Sequence, residues 1–166
     1  MNDAIVESIN CRVAEDDFLI HLGDWSFGGF NSIREFRERI NCKNVILILG
    51  NHDHHIERNK DEIRSIFSHV SHYEYISIEK GEEKSTRKIS AVLCHYPIAS
   101  WNNVAQGVIH LHGHIHSAPD EKFGPGKMMD VGFDGSEEFR PYSLSEVIES
   151  MDPRPIASLL KEDHHV

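Results

Sequence analysis

Four short stretches of this chain carry residue types that can grip a cation and move a proton. They are Gly23-Asp24, Gly50-Asn51-His52-Asp53, His95, and Gly113-His114-Ile115-His116. Each closes an apolar, β-like run, so each falls at a strand end. Asp24 supplies an anionic oxygen able to bridge two cations, and Asn51 a neutral amide oxygen. His95, His114 and His116 supply imidazoles. Such a mixed nitrogen and oxygen set suits manganese, iron or zinc better than calcium or magnesium. Cysteine is absent from all four stretches, which argues against a structural zinc site. An extended chain through His114-Ile115-His116 points both rings to one face, whereas a turn fans them toward two cations. Asp53 can orient the neighbouring His52 imidazole and raise its basicity. A histidinium beside a metal-held phosphate can protonate a leaving alkoxide or steady charge on the phosphoryl oxygens. His52 and Asp53 are therefore the candidate catalytic pair.

These residues need strands to deliver them. Phe18 to Leu22 is a short apolar run ending at Gly23-Asp24, and Val45 to Leu49 is a β-branched and leucine run typical of a strand buried on both faces. Tyr73 to Ile78 and Lys88 to Cys94 predict a hairpin around the charged tip 79–87. Val108 to His112 and Met128 to Phe133 complete the strands. Helices are expected over 3–13, with Asp3 as N-cap, and over 32–40, where Ser32 and Glu35 fit a capping box. Further helices are expected over 59–67, from a second capping box at Ser143 and Glu146 through Ile148, and in the tail over 156–160. Strands alternate with helices early and pair as hairpins later. That mix predicts a layered α/β fold with a mixed sheet or two packed sheets. One domain over 1–166 is expected, with 150–166 as a C-terminal tail.

The 166 residues carry a formal net charge of −10, which opposes the DNA backbone and argues against duplex nucleic acid as a partner. A local positive site made by metal ions would still draw a small phosphate ester. The longest apolar runs hold about five residues, far from the ~18 needed to span a bilayer, and Met1-Asn2-Asp3-Ala4 has no signal-peptide pattern. The three cysteines, at 11, 42 and 94, are odd in number and widely spaced, which favours reduced thiols in a cytoplasm.

The four stretches, in this order, resemble the calcineurin-like metallophosphoesterase superfamily, whose pattern runs D-x-H, G-D, G-N-H-D/E, a lone His, and G-H-x-H. His21 to Gly28, Leu93 to Ile98, Asp130 to Asp134 and Arg140 to Leu144 are similar to small bacterial and phage members, so the likeness covers roughly 1–150. The resemblance implies an αββα sandwich of two mixed sheets flanked by helices. It implies that Asp24, Asn51, His95 and His114 complete one divalent-metal site, that His116 belongs to a second site which shares Asp24, and that His52, assisted by Asp53, is the catalytic histidine. The implied activity is hydrolysis of a small phosphomonoester or phosphodiester, with a hydroxide on the metal attacking phosphorus in line.

The sequence departs from that pattern at the start: no Asp-x-His precedes Gly23-Asp24. The second site is left incomplete, and the first strand of the fold is missing. Its absence exposes an apolar sheet edge. Neighbouring strands, another chain or an upstream start of the gene product are three ways to close it, and a homo-oligomer is one form of the second. Asp16 and Asp17 lie at the wrong end of their strand to substitute. His54 and His55 are expected as solvent-facing loop residues, His21 and His112 as packing residues, and His164 and His165 as inert. Trp25, Phe27, Tyr96 and Trp101 are expected to pack beneath the metal loops. A catalytically impaired binding or scaffold module is the alternative function, favoured by the missing motif; a truncated, inactive relic is a third reading.

Overall fold

The structure is a computed structural model that describes residues 2–59, 62–63, 65–80, 87–117, 124, 126–136 and 139–157. In chain order the elements are α1 (Asn2–Arg12), β1 (Phe18–His21), α2 (Phe30–Glu38), β2 (Asn44–Ile48), α3 (His54–Arg58), β3 (His69–Ser71), β4 (Tyr73–Lys80), β5 (Arg87–Cys94), β6 (Ile109–His112), β7 (Met128–Asp130) and α4 (Leu144–Met151). Two short 3-10 turns, Val104–Gln106 and Phe133–Gly135, sit in the loops. Among the described residues no helix is long and apolar enough to cross a membrane.

The strands form two sheets, in the orders β1-β2-β3 and β4-β5-β6-β7. The first is parallel throughout, with Ile20 opposite Ile46 and Ile46 opposite His69. In the second, β4 and β5 are an antiparallel hairpin with Tyr73 opposite Cys94, and β6 and β7 add in parallel to β5. The expected two-sheet α/β architecture is present, with mixed pairing confined to the second sheet. Because β1, β2, β5 and β6 each run parallel to a neighbour, the loops after them are the carboxyl-end loops where α/β sheets hold ligands.

Strand alternation divides the core into layers. Leu19, Val45 and Leu47 face α1 and α2, packing with Ile9, Trp25 and Ile33. Ile48, Ala91, Leu93 and Ile109 fill the layer between the sheets, where Val147 and Met151 of α4 join them. Val92 and Met128 face outward onto Trp101 and Val104. Arg37 pins the end of α2 by donating to the carbonyls of Ile40, Cys42, Lys43 and Ile66.

Several expected boundaries move for identifiable reasons. Asp3 lies inside α1, which starts at Asn2, and pairs with Arg39 instead of capping. The Ser32–Glu35 capping box does not form: the Gly28-Gly29 break lets α2 start at Phe30, with Gly29 at the cap and no side-chain cap bond. The Ser143–Glu146 box forms in full. In place of a helix spanning 59–67, α3 occupies 54–58, so His54 and His55 are helical; residues 62 and 63 are also helical, and 60, 61 and 64 lie outside the described residues. The short strand β3 was unexpected. The hairpin tip at 81–86, the tail positions 158–160, and His164 and His165 also lie outside the described residues; Ile156 and Ala157 are not helical.

Candidate metal centre

Gly23 and Gly50 let two carboxyl-end loops touch. Gly23 adopts φ +99°, and a Cβ there would press on the His95 ring and stand 2.7 Å from the Gly50 nitrogen. A Cβ on Gly50 would stand 2.7 Å from the Asp24 nitrogen and overlap the Asp24 carboxylate. Close backbone approach therefore requires glycine at both positions. Asp24, His114 and His116 themselves hold left-handed backbones, at φ 57°, 73° and 53°. Such conformations cost a non-glycine residue energy and persist where surrounding structure imposes them, often at functional sites.

Three side chains, those of Asn51, His114 and Asp24, converge on His95, which is buried. Its Nδ1 lies 2.6 Å from the Leu22 carbonyl oxygen, which can only accept, so Nδ1 carries the proton and donates. In the neutral ring this leaves the Nε2 lone pair facing the site. Asn51 Oδ1 lies 3.0 Å from that nitrogen, His114 Nδ1 3.2 Å, and Asp24 Oδ2 3.6 Å. A lone pair thus faces two oxygen acceptors, an arrangement that a cation between them relieves. Ligands about 2.1 Å from a shared ion stand about 3.0 Å apart in an octahedron and about 3.4 Å apart in a tetrahedron. The donors fit a divalent cation by type and by their spacing around His95. Among the described residues, no group of three or more His, Cys, Asp or Glu side chains by itself makes a cation-holding cluster. The convergence depends on the Asn51 amide and on His95 at the hub.

The other expected site residues are placed differently. His116 is exposed and bonded through Nδ1 to Asp134 Oδ2, outside the group around His95. His52 is exposed, its ring 4.9 Å from that of Phe27, while its backbone N–H donates to Asp24 Oδ1 at 2.9 Å. The expectation that Asp53 orients the His52 imidazole is corrected. Its carboxylate is buried and turned away, accepting the backbone N–H groups of Asp24 at 2.7 Å, Trp25 at 2.8 Å and Gly50 at 2.8 Å. Burial lifts the Asp53 carboxyl above its ordinary pKa, against the opposing pull of these three amides. Asp53 clamps the loops through these three amides.

The aromatic residues divide. Trp25 and Trp101 are buried, Trp25 in the core beside α2 and Trp101 against Val92 and Met128 on the outer side of the second sheet, but Phe27 and Tyr96 are 79% and 41% exposed. Tyr96 lies against both His95 and His114, with ring centroids 4.9 Å from each. His21 packs edge-on against Trp25, and His112 is fully buried in β6. Sequence reasoning gave no role to Asp134 or to the buried Asp130, which accepts from Ser117 and Gly132 and braces the loop after β6. Their signal was the segment Asp130 to Asp134, a strand end carrying two carboxylates.

Residues 2–140 match the family model for calcineurin-like phosphoesterases. The chain belongs to this family. Neither a curated protein nor a solved structure matches it. Calcineurin-like phosphoesterases are generally metal-dependent hydrolases of phosphate esters that bind divalent metals, so the donors gathered at His95 and the family membership point to the same chemistry. A divalent ion held by these donors would polarise a phosphoryl group and provide a nucleophile at neutral pH.

Proposed function

We propose that this calcineurin-like phosphoesterase hydrolyses a small phosphomonoester or phosphodiester, using a divalent ion (manganese, iron or zinc) held by Asp24, Asn51, His95 and His114. The observation that carries this reading is the meeting of Asn51, His114 and Asp24 at Nε2 of a buried histidine whose Nδ1 faces the Leu22 carbonyl. His52 is the proton donor to the leaving alkoxide: it directly follows Asn51, and its own N–H is anchored on Asp24. Asp53 holds the loops that present both residues. His116 and Asp24 belong to a second, weaker metal position. The net charge of −10 supports a compact phosphate ester over duplex nucleic acid. Three free cysteines support a reducing cytoplasm.

One observation favours the alternative of an impaired binding module: His116 is turned to Asp134 and not to the group around His95. Hydrolysis of bis(p-nitrophenyl) phosphate with added manganese, with metal content measured in parallel, separates the two. Metal-dependent turnover that falls in His52→Ala supports the enzyme. One tightly held ion per chain without turnover supports the module.

A further inference from the structure

Trp25 and Phe27 leave the Asp24 loop in opposite directions. Trp25 turns inward, its ring 4.9 Å from those of Phe36 and Phe67 and its Nε1–H donating to Ile33 O at 3.3 Å. Phe27 takes no part in that core and is the most exposed large apolar side chain among the described residues. Its position is nonetheless fixed. Ser26 Oγ accepts the Gly28 N–H at 3.2 Å, closing the turn that carries Phe27. A Cβ on Gly28 would stand 2.3 Å from Ser32 Oγ, so the turn is seated against α2. The Phe27 ring lies 4.9 Å from that of His52, at an angle of 53°. This contact joins the loop after β1 to the loop after β2, on the side of β1 that is already paired. A second such pair, Phe30 and His55 at 6.4 Å, follows along the same two segments.

We propose that Phe27 is a specificity-determining residue that stacks on a planar ring carried by the leaving alcohol, so that a nucleoside monophosphate is preferred over a plain sugar phosphate. The inference rests on the proposed function, because His52 marks the leaving-group side through its role as proton donor. Phe27 stands directly beside that histidine and so meets whatever the leaving oxygen carries. The shape of the contact selects a ring. An alkyl chain gains from a groove that buries its length, whereas Phe27 offers one open aromatic side chain on a turn. Flat rings gain from face or edge contact with such a side chain at centroid distances of about 4.5–7 Å. Stacking of this kind accepts any base, so the discrimination is between ring and no ring. In the step itself a water oxygen bonds to phosphorus and the bond from phosphorus to the 5′ oxygen breaks. That oxygen takes the His52 proton, which the attacking water restores, and the products are a nucleoside and inorganic phosphate.

Adenosine 5′-phosphate and ribose 5-phosphate share the same primary leaving alcohol, and only the first carries a base. The ratio of their kcat/KM values, measured on the full chain with manganese by phosphate release, therefore reads the ring. A ratio of about tenfold or more is expected in the wild type, collapsing toward unity in Phe27→Ala and retained in Phe27→Trp. A partly misfolded variant lowers both rates together and leaves the ratio unmoved. Calorimetric binding of the same two compounds to the manganese-loaded chain is measured in parallel. A wild-type ratio near unity, or a ratio that Phe27→Ala does not change, overturns the proposal. Turnover of neither ester overturns the phosphoesterase reading instead. In that case tighter binding of adenosine 5′-phosphate that is lost in Phe27→Ala sustains the ring contact, and equal binding of the two compounds overturns it as well.

Discussion

The carboxylate of Asp53 accepts the backbone N–H of Asp24 at 2.7 Å. Through this bond the loop after β2 fixes the backbone of the loop after β1, at the residue whose own side chain faces the metal donors. The same carboxylate closes its own loop through Gly50 and reaches Trp25 in the core. Asp53→Asn keeps the shape but replaces one oxygen with an amide group that cannot accept. Charge-assisted bonds in a buried site are worth about 1.5–3 kcal/mol each, so a loss of about 2–4 kcal/mol of folding stability is expected. Urea denaturation measures it. An effect within about 0.5 kcal/mol of wild type would mean the clamp carries no weight.

His52 and His95 should separate by readout. His95→Ala removes the hub at which three donors meet, so bound metal and activity are expected to disappear together. His52→Ala leaves that group intact and removes only the proposed proton donor. Turnover is expected to fall by about 10²–10⁴ with metal content unchanged. Metal analysis beside hydrolysis of an aryl phosphodiester distinguishes the two, and unchanged turnover in His52→Ala would remove that residue from the mechanism.

Gly23→Ala tests the contact between loops. The new methyl would sit 2.7 Å from the Gly50 nitrogen, on a backbone at φ +99° that L-residues rarely adopt. Strain of about 1–3 kcal/mol is expected from the backbone alone, and the overlap with the His95 ring adds to it. Stability by urea titration should fall, with metal affinity weakened further because His95 must move. Metal affinity equal to wild type would show that the loops have room.

The donor residues were legible because each follows an apolar run, and a strand delivers its last residue to the same end of the sheet as its parallel neighbour. Asp53 was legible as important but not in its role, since its partners are backbone amides, which leave no mark in sequence. The capping pattern reads alike at Ser32 and Ser143, yet only Ser143 caps: the Gly28-Gly29 break starts α2 two residues before Ser32. β3 has three residues and exists because β2 offers it an edge, so local pattern could not reveal it. Trp25 and Phe27 are both aromatic residues just past Asp24, and tertiary packing alone sends one inward and leaves the other exposed.

His110 predicts how the fold responds to acid. It is fully buried in β6, 5.2 Å from the Trp101 ring. As a neutral ring it is satisfied: Nδ1–H donates to Val92 O at 3.3 Å, and Nε2 accepts the Ile98 N–H at 3.3 Å. A second proton would have to enter at Nε2, where the Ile98 N–H opposes it although the Tyr96 carbonyl oxygen 3.2 Å away could accept it, in a site with no carboxylate among its bonded partners. Burial, opposed by weaker backbone bonds, lowers the pKa from 6.5 to about 4. The folded value lies below the unfolded one, so the stability from keeping this ring neutral is fully present above pH ~6.5. It is lost as pH falls toward 4, where the unfolded chain takes up a proton that the folded chain resists. The shift corresponds to about 3 kcal/mol at the acid end of that window. His110→Gln retains an acceptor and a donor but cannot titrate. In urea titrations at pH 7, 5.5 and 4, the variant should be less stable than wild type at pH 7 and lose less stability on acidification. Parallel declines in the two proteins would show that His110 does not report the acid sensitivity of this fold.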